Sequence, residues 1–317
     1  QNDAGGALKI TGGSLTLTGA NTYTGGTQLN AGTLTAGNNS ALGTGTLAMA
    51  AGTTLGFANT GNYAIANAIT VSGDATFLAS AGTAQTLSGI ISDATGGAPA
   101  GAVVVNGGGT LVLSGANTYT GGTTICGTAC GIAGGSSVLQ VGVDTVGTPG
   151  AIVSSAIGTG LLTFDGGTLQ AGGNYTIANN AQINATGGTI DANGYTFTYS
   201  GNISGAGGLS VLGASAFLGR VVLTGSNTYA GGTTICSCAT LQLGDASHTA
   251  SIVGEVTVNG RFEIVNANTA GITKIVNDGS IGFGSTTFHN STTASTAVIV
   301  NRNYGAKIGR ASCRERV

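Results

Sequence analysis

Four cysteines pose the first chemical question. Cys126 and Cys236 occupy the same place after a Thr-Thr-Ile run in two widely separated parts of the chain, and each has a second cysteine close behind it, Cys130 and Cys238. Thiols two or four residues apart suit two local disulfides, the form that an oxidising exterior favours, with reduced thiols as the alternative. The acidic side chains are less promising. Asp74, Asp93, Asp144, Asp165, Asp191, Asp245, Glu255, Glu263 and Asp278 are scattered, whereas calcium sites and glycan-cleaving centres need several carboxylates in one groove. Asp165 and Asp191 are spaced to stack on successive turns, yet both sit in glycine-rich contexts and read as turn formers. His248 and His289 lie in Thr/Ser-rich segments, without Cys or Asp at metal or triad spacing, and read as surface histidines. The Gly-rich stretches lack the Lys and the helix of a phosphate loop, and the Asp-Gly turns do not reproduce a calcium β-roll repeat. We therefore expect no catalytic residue, no metal, no cofactor and no small-molecule substrate.

The elements that carry these residues are strands. Gly accounts for 60 of 317 residues, charged residues for 6% and hydrophobic residues for 41%. The aliphatic and Thr residues fall in alternating runs of three to five, such as 110–113 and 255–258, bounded by Gly, Asn or Asp, which is the period of a strand. No stretch carries a helical stripe uninterrupted by Gly or β-branched clusters, and no apolar run nears the roughly 18 residues of a membrane-spanning helix.

One stretch organises the chain. It occurs as residues 15–29, 111–125 and 221–235, with Thr18, Ser114 and Thr224 equivalent, at a long and nearly regular spacing. Three further segments recur between the copies, each pair at almost the same separation: 41–47 matches 156–162, 61–67 matches 173–179, and 87–92 matches 199–204. Inside this large repeat the Gly-bounded strands return every ~20 to 25 residues, the period of a solenoid. The pattern predicts an all-β fold, a parallel β-helix with three short strands per coil, each stacked on the next coil at about 4.8 Å. Leu15, Leu17, Leu29 and Leu34 are expected to fill its inner column and Thr16, Thr18, Thr196 and Thr198 to face water. At the corner of each copy, Asn21, Asn117 and Asn227 are expected to bond backbone groups while Tyr23, Tyr119 and Tyr229 cover the joint. On this geometry the two cysteine pairs stand about five coils, roughly 24 Å, apart, too far for a bridge between them or a shared zinc.

The core Gly-[Ala/Ser]-Asn-Thr-Tyr-[Thr/Ala]-Gly-Gly-Thr, present three times, resembles the autotransporter-associated β-strand repeat of type V secreted passengers, and its surroundings cover residues 1–307. The resemblance implies a right-handed parallel β-helical passenger at the bacterial cell surface or outside it. It implies passage through an outer-membrane β-barrel translocator, with the repeat linked to transport. On that basis we expect a structural stem. An adhesin that meets surface glycans or proteins through loops such as 126–149 or 266–290 is the alternative, and a polysaccharide-active enzyme is disfavoured by the scattered carboxylates. The first residues, Gln1-Asn2-Asp3-Ala4, show no basic region leading into an apolar one, and the strand pattern is already under way, so a piece of a longer protein is expected. Residues 308–317 carry three of the nine basic residues and resemble a translated short-read sequencing adapter, so we set them aside as a tail foreign to the fold. Without them six basic residues face ten acidic ones, a net charge of −4, which disfavours nucleic acid as a partner.

Overall fold

The computed structural model describes residues 5–59, 61–96, 99–127, 135–214, 219–280, 284–303 and 307–310. Every regular element among them is a β-strand, and no helix is long and apolar enough to cross a membrane. The chain forms two compact units, one of residues 1–147 with 151–169, the other of residues 148–150 with 170–317. Each is built as a parallel β-solenoid.

In the first unit a coil consists of Ile69–Val71, Asp74–Leu78 and Ala84–Leu87, and the next consists of Ile91–Asp93, Ala102–Asn106 and Thr110–Leu113. The two coils pair strand for strand in parallel, Ile69 with Ile91, Ala75 with Val103, and Leu87 with Leu113. Alternation decides which side chains turn inward. Leu34, Leu55, Phe77, Val105, Ile125 and Phe164 stand directly above one another in register and are fully buried. One residue earlier on the same strands, Thr33, Thr54, Thr76, Val104, Thr124 and Thr163 form a half-exposed outer row. Burying a large aliphatic or aromatic side chain contributes roughly 1.5–3 kcal/mol, and a parallel stack lets every coil repeat that gain against its neighbour.

The second unit repeats the plan. Ala181–Ile183, Gly188–Asp191 and Thr196–Tyr199 pair with Ile203–Gly205, Leu209–Leu212 and Gly219–Leu223. Its inner column runs Ile177, Tyr199, Leu223, Leu243, Ile264, Phe288. Because the charged residues face outward, they pair across coils: Arg220 with Glu263 at 2.5 Å and Lys274 with Glu255 at 3.2 Å.

Three expectations are corrected. Leu29 and Leu34 are buried in the column, but Leu15 and Leu17 are only half-buried, because they belong to the first coil and have no coil beneath them in this structure. Residues 266–290 are not a loop; they supply Ala267–Asn268, Ile272–Asp278 and Ser285–Phe288, with Ile275, Val276 and Phe288 inside. Likewise Val138–Val141, within 126–149, is a ladder strand with Leu139 and Val141 buried. What projects is the hairpin of Val146–Thr148 and Ala151–Ser154, where Val153 is 67% exposed. It lies in an enlarged coil: Thr123 pairs with Leu162, almost twice as far along the chain as Leu47 lies from its partner Thr27. Apart from these corrections, Lys307–Arg310 adds a strand beside Ser285–Phe288, three of its residues coming from the segment set aside as foreign. Backbone pairing is open to almost any sequence without proline, so it carries no information about that segment's origin.

Candidate functional site: the Asn-Tyr corner

Each copy of the repeated stretch wraps a corner of its coil, and its asparagine ties that corner to the coils on both sides. Asn117 is fully buried. Its Oδ1 accepts the N–H of Ile91 from the coil before, at 2.7 Å, and its Nδ2 donates to the carbonyl of Ala156 in the coil after, at 2.6 Å. Asn227 does the same with Ile203 N–H and the Ser251 carbonyl, both at 3.0 Å, and adds the Gly225 carbonyl of its own coil at 3.0 Å. Among the described residues Asn21 makes only the forward bond, to the Ala41 carbonyl at 2.7 Å. An amide suits the place because it both donates and accepts, which neither a carboxylate nor an ammonium can do.

Two residues on, the tyrosine plugs the corner from within. Tyr119 and Tyr229 are fully buried and Tyr23 nearly so. Each phenol bonds the hydroxyl of the threonine four positions later: Tyr23 to Thr27 at 2.7 Å, Tyr119 to Thr123 and Tyr229 to Thr233 at 2.6 Å. Since Thr123 Oγ1 donates to the Ile157 carbonyl at 2.9 Å, the Tyr119 hydroxyl is the donor to Thr123. Burial pushes all three phenols above their ordinary pKa, the threonine hydrogen bond offsetting part of the rise, so they stay neutral and take no part in proton transfer at neutral pH.

The paired glycines of the motif have separate reasons. A Cβ on the first, Gly121, would sit 2.7 Å from the Gly101 carbonyl oxygen of the coil before. The second, Gly122, has φ +92°, a left-handed conformation, and a Cβ there would approach the Leu161 carbonyl oxygen of the coil after to 2.5 Å. Asp93 braces the same corner from the preceding coil, accepting from Thr120 Oγ1 at 2.9 Å and from Gly101 N–H at 2.8 Å.

The other candidates stay apart from this corner. Cys236 and Cys238 are joined by a disulfide with Cα atoms 5.2 Å apart. Cys126 is disulfide-bonded and buried, and Cys130 lies outside the described residues. Asp165 sits on a strand paired with Thr123–Cys126. Asp191 accepts from Gln170 Nε2 at 2.9 Å and caps the turn at Asn193 N–H at 2.8 Å. Among the described residues no three His, Cys, Asp or Glu side chains gather as a metal site would require. One of the two histidines departs from the surface position expected of it. His248 is exposed but pairs with Asp245, both carboxylate oxygens 2.9 Å from Nδ1, a contact for which the Asp-x-x-His spacing was the available signal. Burial would raise the Asp245 carboxyl, but the bonds from the His248 ring and from the Ser247 and His248 backbone hold it below its usual value. His289 is half-buried rather than at the surface.

Sequence reasoning also missed a second set of staples. Asn62 Oδ1 accepts Ala84 N–H and Asn174 Oδ1 accepts Thr196 N–H, both at 2.8 Å and both from the coil that follows. Asn67 donates to the carbonyls of Gly43 and Gly45, at 3.1 and 2.7 Å. The signal was present, since Gly-Asn-Tyr-x-Ile-Ala-Asn recurs at 61–67 and 173–179.

A parallel solenoid whose corners are stapled from coil to coil belongs to the class of β-helical proteins. Residues 9–36, 103–127 and 218–249 match the family described as Passenger-associated-transport-repeat, the three corners just described. The chain is also 35% identical over 210 residues to "Adhesin BmaC autotransporter" of Brucella suis biovar 1 (strain 1330), a match that covers 64% of this chain and 5% of the relative. No solved structure matches. The chain thus carries three matches to that repeat and is similar to an autotransporter adhesin, of whose length it spans about one-twentieth.

Proposed function

We propose that this segment is a stem of a surface-displayed or secreted passenger, and that its repeats assist transport and folding across the outer membrane. The observation that carries this is the two-way stapling of the motif asparagine. A completed coil offers unpaired strand edges and a bonded corner to the coil that follows, so the chain folds by adding coils to a template, and each addition opposes return of the chain. The partner this reading requires is an outer-membrane β-barrel translocator, and its location is the bacterial cell surface or the medium. It assigns no residue to catalysis. Local disulfides fit it too: loops closed over two or four residues encumber an extended chain least during passage. The test is to delete residues 15–29, 111–125 or 221–235, one at a time, from the full-length protein and measure surface yield. Each deletion is expected to lower it; unchanged yield in all three removes the transport role.

Adhesion is the second reading, favoured by the relative's printed name and by the projecting hairpin with its exposed valines. Its partners would be cell-surface glycans or proteins. Binding of residues 1–307 to cells or glycan arrays, lost when residues 146–154 are replaced by a short turn, supports that role over a stem alone. Turnover of pectin-like polymers would overturn both.

A further inference from the structure

The Cys236–Cys238 bridge adds little to the fold that carries it. It closes a ring over the single residue Ser237, in the tight turn between Thr233–Ile235 and Ala239–Leu243. The backbone fixes that turn without the sulfurs. Across it the Ala239 N–H donates to the Cys236 carbonyl at 3.1 Å, and the Cys236 N–H donates to the Val211 carbonyl of the coil before at 3.0 Å. The following coil packs so closely that a Cβ on Gly260 would lie 2.2 Å from the Cys236 carbonyl oxygen. Both flanking strands are laddered on two sides, Ile235 with Val211 and Val258, and Leu241 with Val221 and Phe262. A bridge over so short a loop also removes little freedom from the unfolded chain, so as a staple it is weak. Its exposure sets it apart as well. After the same Thr-Thr-Ile run, Cys126 continues its strand and is buried, whereas Cys236, Ser237 and Cys238 are all half-exposed. The residues packed against the carbonyls of the turn, Gly213 and Gly260, have no side chains to cover it. The two sulfurs are also unequal, because Cys236 Sγ accepts the Cys238 N–H at 3.2 Å.

We infer that Cys236–Cys238 is a thiol-exchange site, at which a thiolate from outside the chain becomes joined to it through a mixed disulfide. The incoming thiolate attacks Cys238 Sγ. A new S–S bond forms there as the Cys236–Cys238 bond breaks, and the bonding pair leaves on Cys236 Sγ as a thiolate. The incoming thiol is oxidised as Cys236 is reduced, so no further oxidant or reductant takes part. The Cys238 N–H sets the direction, because a hydrogen bond to a sulfur strengthens as that sulfur gains negative charge. A sulfur held in this way leaves faster, and it is a poorer nucleophile for the return attack that would expel the newcomer. The turn keeps its backbone bonds while the bridge is open, so the coil stays folded through the exchange. An accessible bridge that contributes little to the fold is the kind that exchanges, whereas a sealed sulfur such as that of Cys126 is out of reach.

The test starts from the oxidised chain, shown by alkylation without reductant to hold no free thiol at Cys236 or Cys238; free thiols there overturn the inference at once. The chain is incubated with reduced glutathione near the ordinary thiol pKa, and N-ethylmaleimide is added at intervals to trap the products. Peptide masses are expected to show a glutathionyl group on Cys238 with the maleimide on Cys236, and no glutathionyl group on Cys126. In a parallel arm a thiol-terminated polyethylene glycol replaces glutathione. Labelling by both supports the site and extends it to thiols carried on macromolecules, and labelling by glutathione alone supports it for small thiols. Labelling by neither, or a glutathionyl group mainly on Cys236 or Cys126, overturns it. Two variants test the direction separately. The lone Cys236 thiol of Cys238→Ser keeps the N–H donor of residue 238, so its alkylation is expected to set in about one pH unit lower than that of the lone Cys238 thiol in Cys236→Ser; the reverse order overturns the assignment. Opening the bridge is expected to shift Tm by no more than a few degrees and to leave exchange of the Asn259 amide, bonded to the Ile235 carbonyl at 3.0 Å, within about threefold. Loss of that protection would make the bridge a structural staple and overturns the inference equally.

Discussion

Replacing Asn117 by alanine tests the stapled corner at its strongest point. The substitution leaves the Ile91 N–H and the Ala156 carbonyl without their side-chain partners in a site with no solvent access. Each such orphaned group costs about 1–3 kcal/mol, so the expected loss is about 4 kcal/mol. Asn21→Ala breaks a single bond, to Ala41, at a half-exposed corner, and is expected to cost about 1 kcal/mol. The difference of about 3 kcal/mol corresponds to a change of roughly a hundredfold in a local opening constant. Because a solenoid opens coil by coil, hydrogen exchange is the suitable assay rather than one global transition. The amides to follow are Ser114, bonded to the Leu87 carbonyl at 3.1 Å, and Thr118, bonded to the Ile91 carbonyl at 2.9 Å. Both should exchange about a hundredfold faster in Asn117→Ala than Asn21→Ala makes the amide of Asn21, which bonds the Ser40 carbonyl at 3.0 Å. Equal effects of the two substitutions would refute the claim that contact with both neighbouring coils sets the worth of the asparagine.

Three further outcomes follow from the same contacts. Tyr199 is fully buried in the column and its hydroxyl has no partner among the described residues, so Tyr199→Phe should be neutral or stabilising by about 1 kcal/mol, while Tyr119→Phe, which breaks the bond to Thr123, should cost about as much in urea midpoints. Gly158 has φ +70° and a Cβ there would lie 2.6 Å from the Tyr119 ring, so Gly158→Ala should cost more than about 2 kcal/mol, whereas Gly150→Ala at the open hairpin tip, φ +85°, should show only the backbone penalty of about 1 kcal/mol. Alkylation of the secreted protein without reductant should leave Cys126, Cys130, Cys236 and Cys238 unmodified, and mass shifts that show four free thiols would end the disulfide assignment.

The solenoid was legible because its two signals are periodic. Alternation within 110–113 or 255–258 selects strands, and the return of such runs selects coils. Apart from the enlarged coil, the observed registers bracket the expected period, from Ala250 with Ala267 at the short end to Asp74 with Ala102 at the long end. The corner was legible in composition, since buried Asn and Tyr in a Gly-Thr setting have few other uses. Its partners were not. A sequence cannot say that Asn117 reaches Ile91 backward and Ala156 forward, because those separations depend on how much chain each coil loops out. The same limit applies at 266–290, where Asn and Gly resemble loop markers. Asn277 is in fact fully buried beside Val276, and it is tolerated there because Thr286 Oγ1 donates to it at 2.6 Å and it donates to Asn301 at 3.0 Å.

The recurrence of four segments at nearly one spacing has a physical cause in these contacts. A motif corner is not self-sufficient. It needs beneath it a glycine carbonyl and an isoleucine N–H, which Ser-Gly-x-Ile supplies at 88–91 and 200–203, and above it a coil that leaves room for the tyrosine. Gly43 and Gly158 meet that last need, since a Cβ on either would collide with the ring of Tyr23 or Tyr119. The sequence of each coil is therefore constrained by its neighbours, and the natural unit of repetition is the set of interfaces around one corner. The third copy supports this. Above Tyr229 the chain reads Ser251-Ile252-Val253, no Ala-[Leu/Ile]-Gly segment follows, and Asn227 bonds the Ser251 carbonyl directly. Where the covering segment is absent, the long-range match between modules stops as well. Deleting one copy of the motif therefore disturbs more than a corner, because it leaves two neighbouring coils shaped for a partner that is gone.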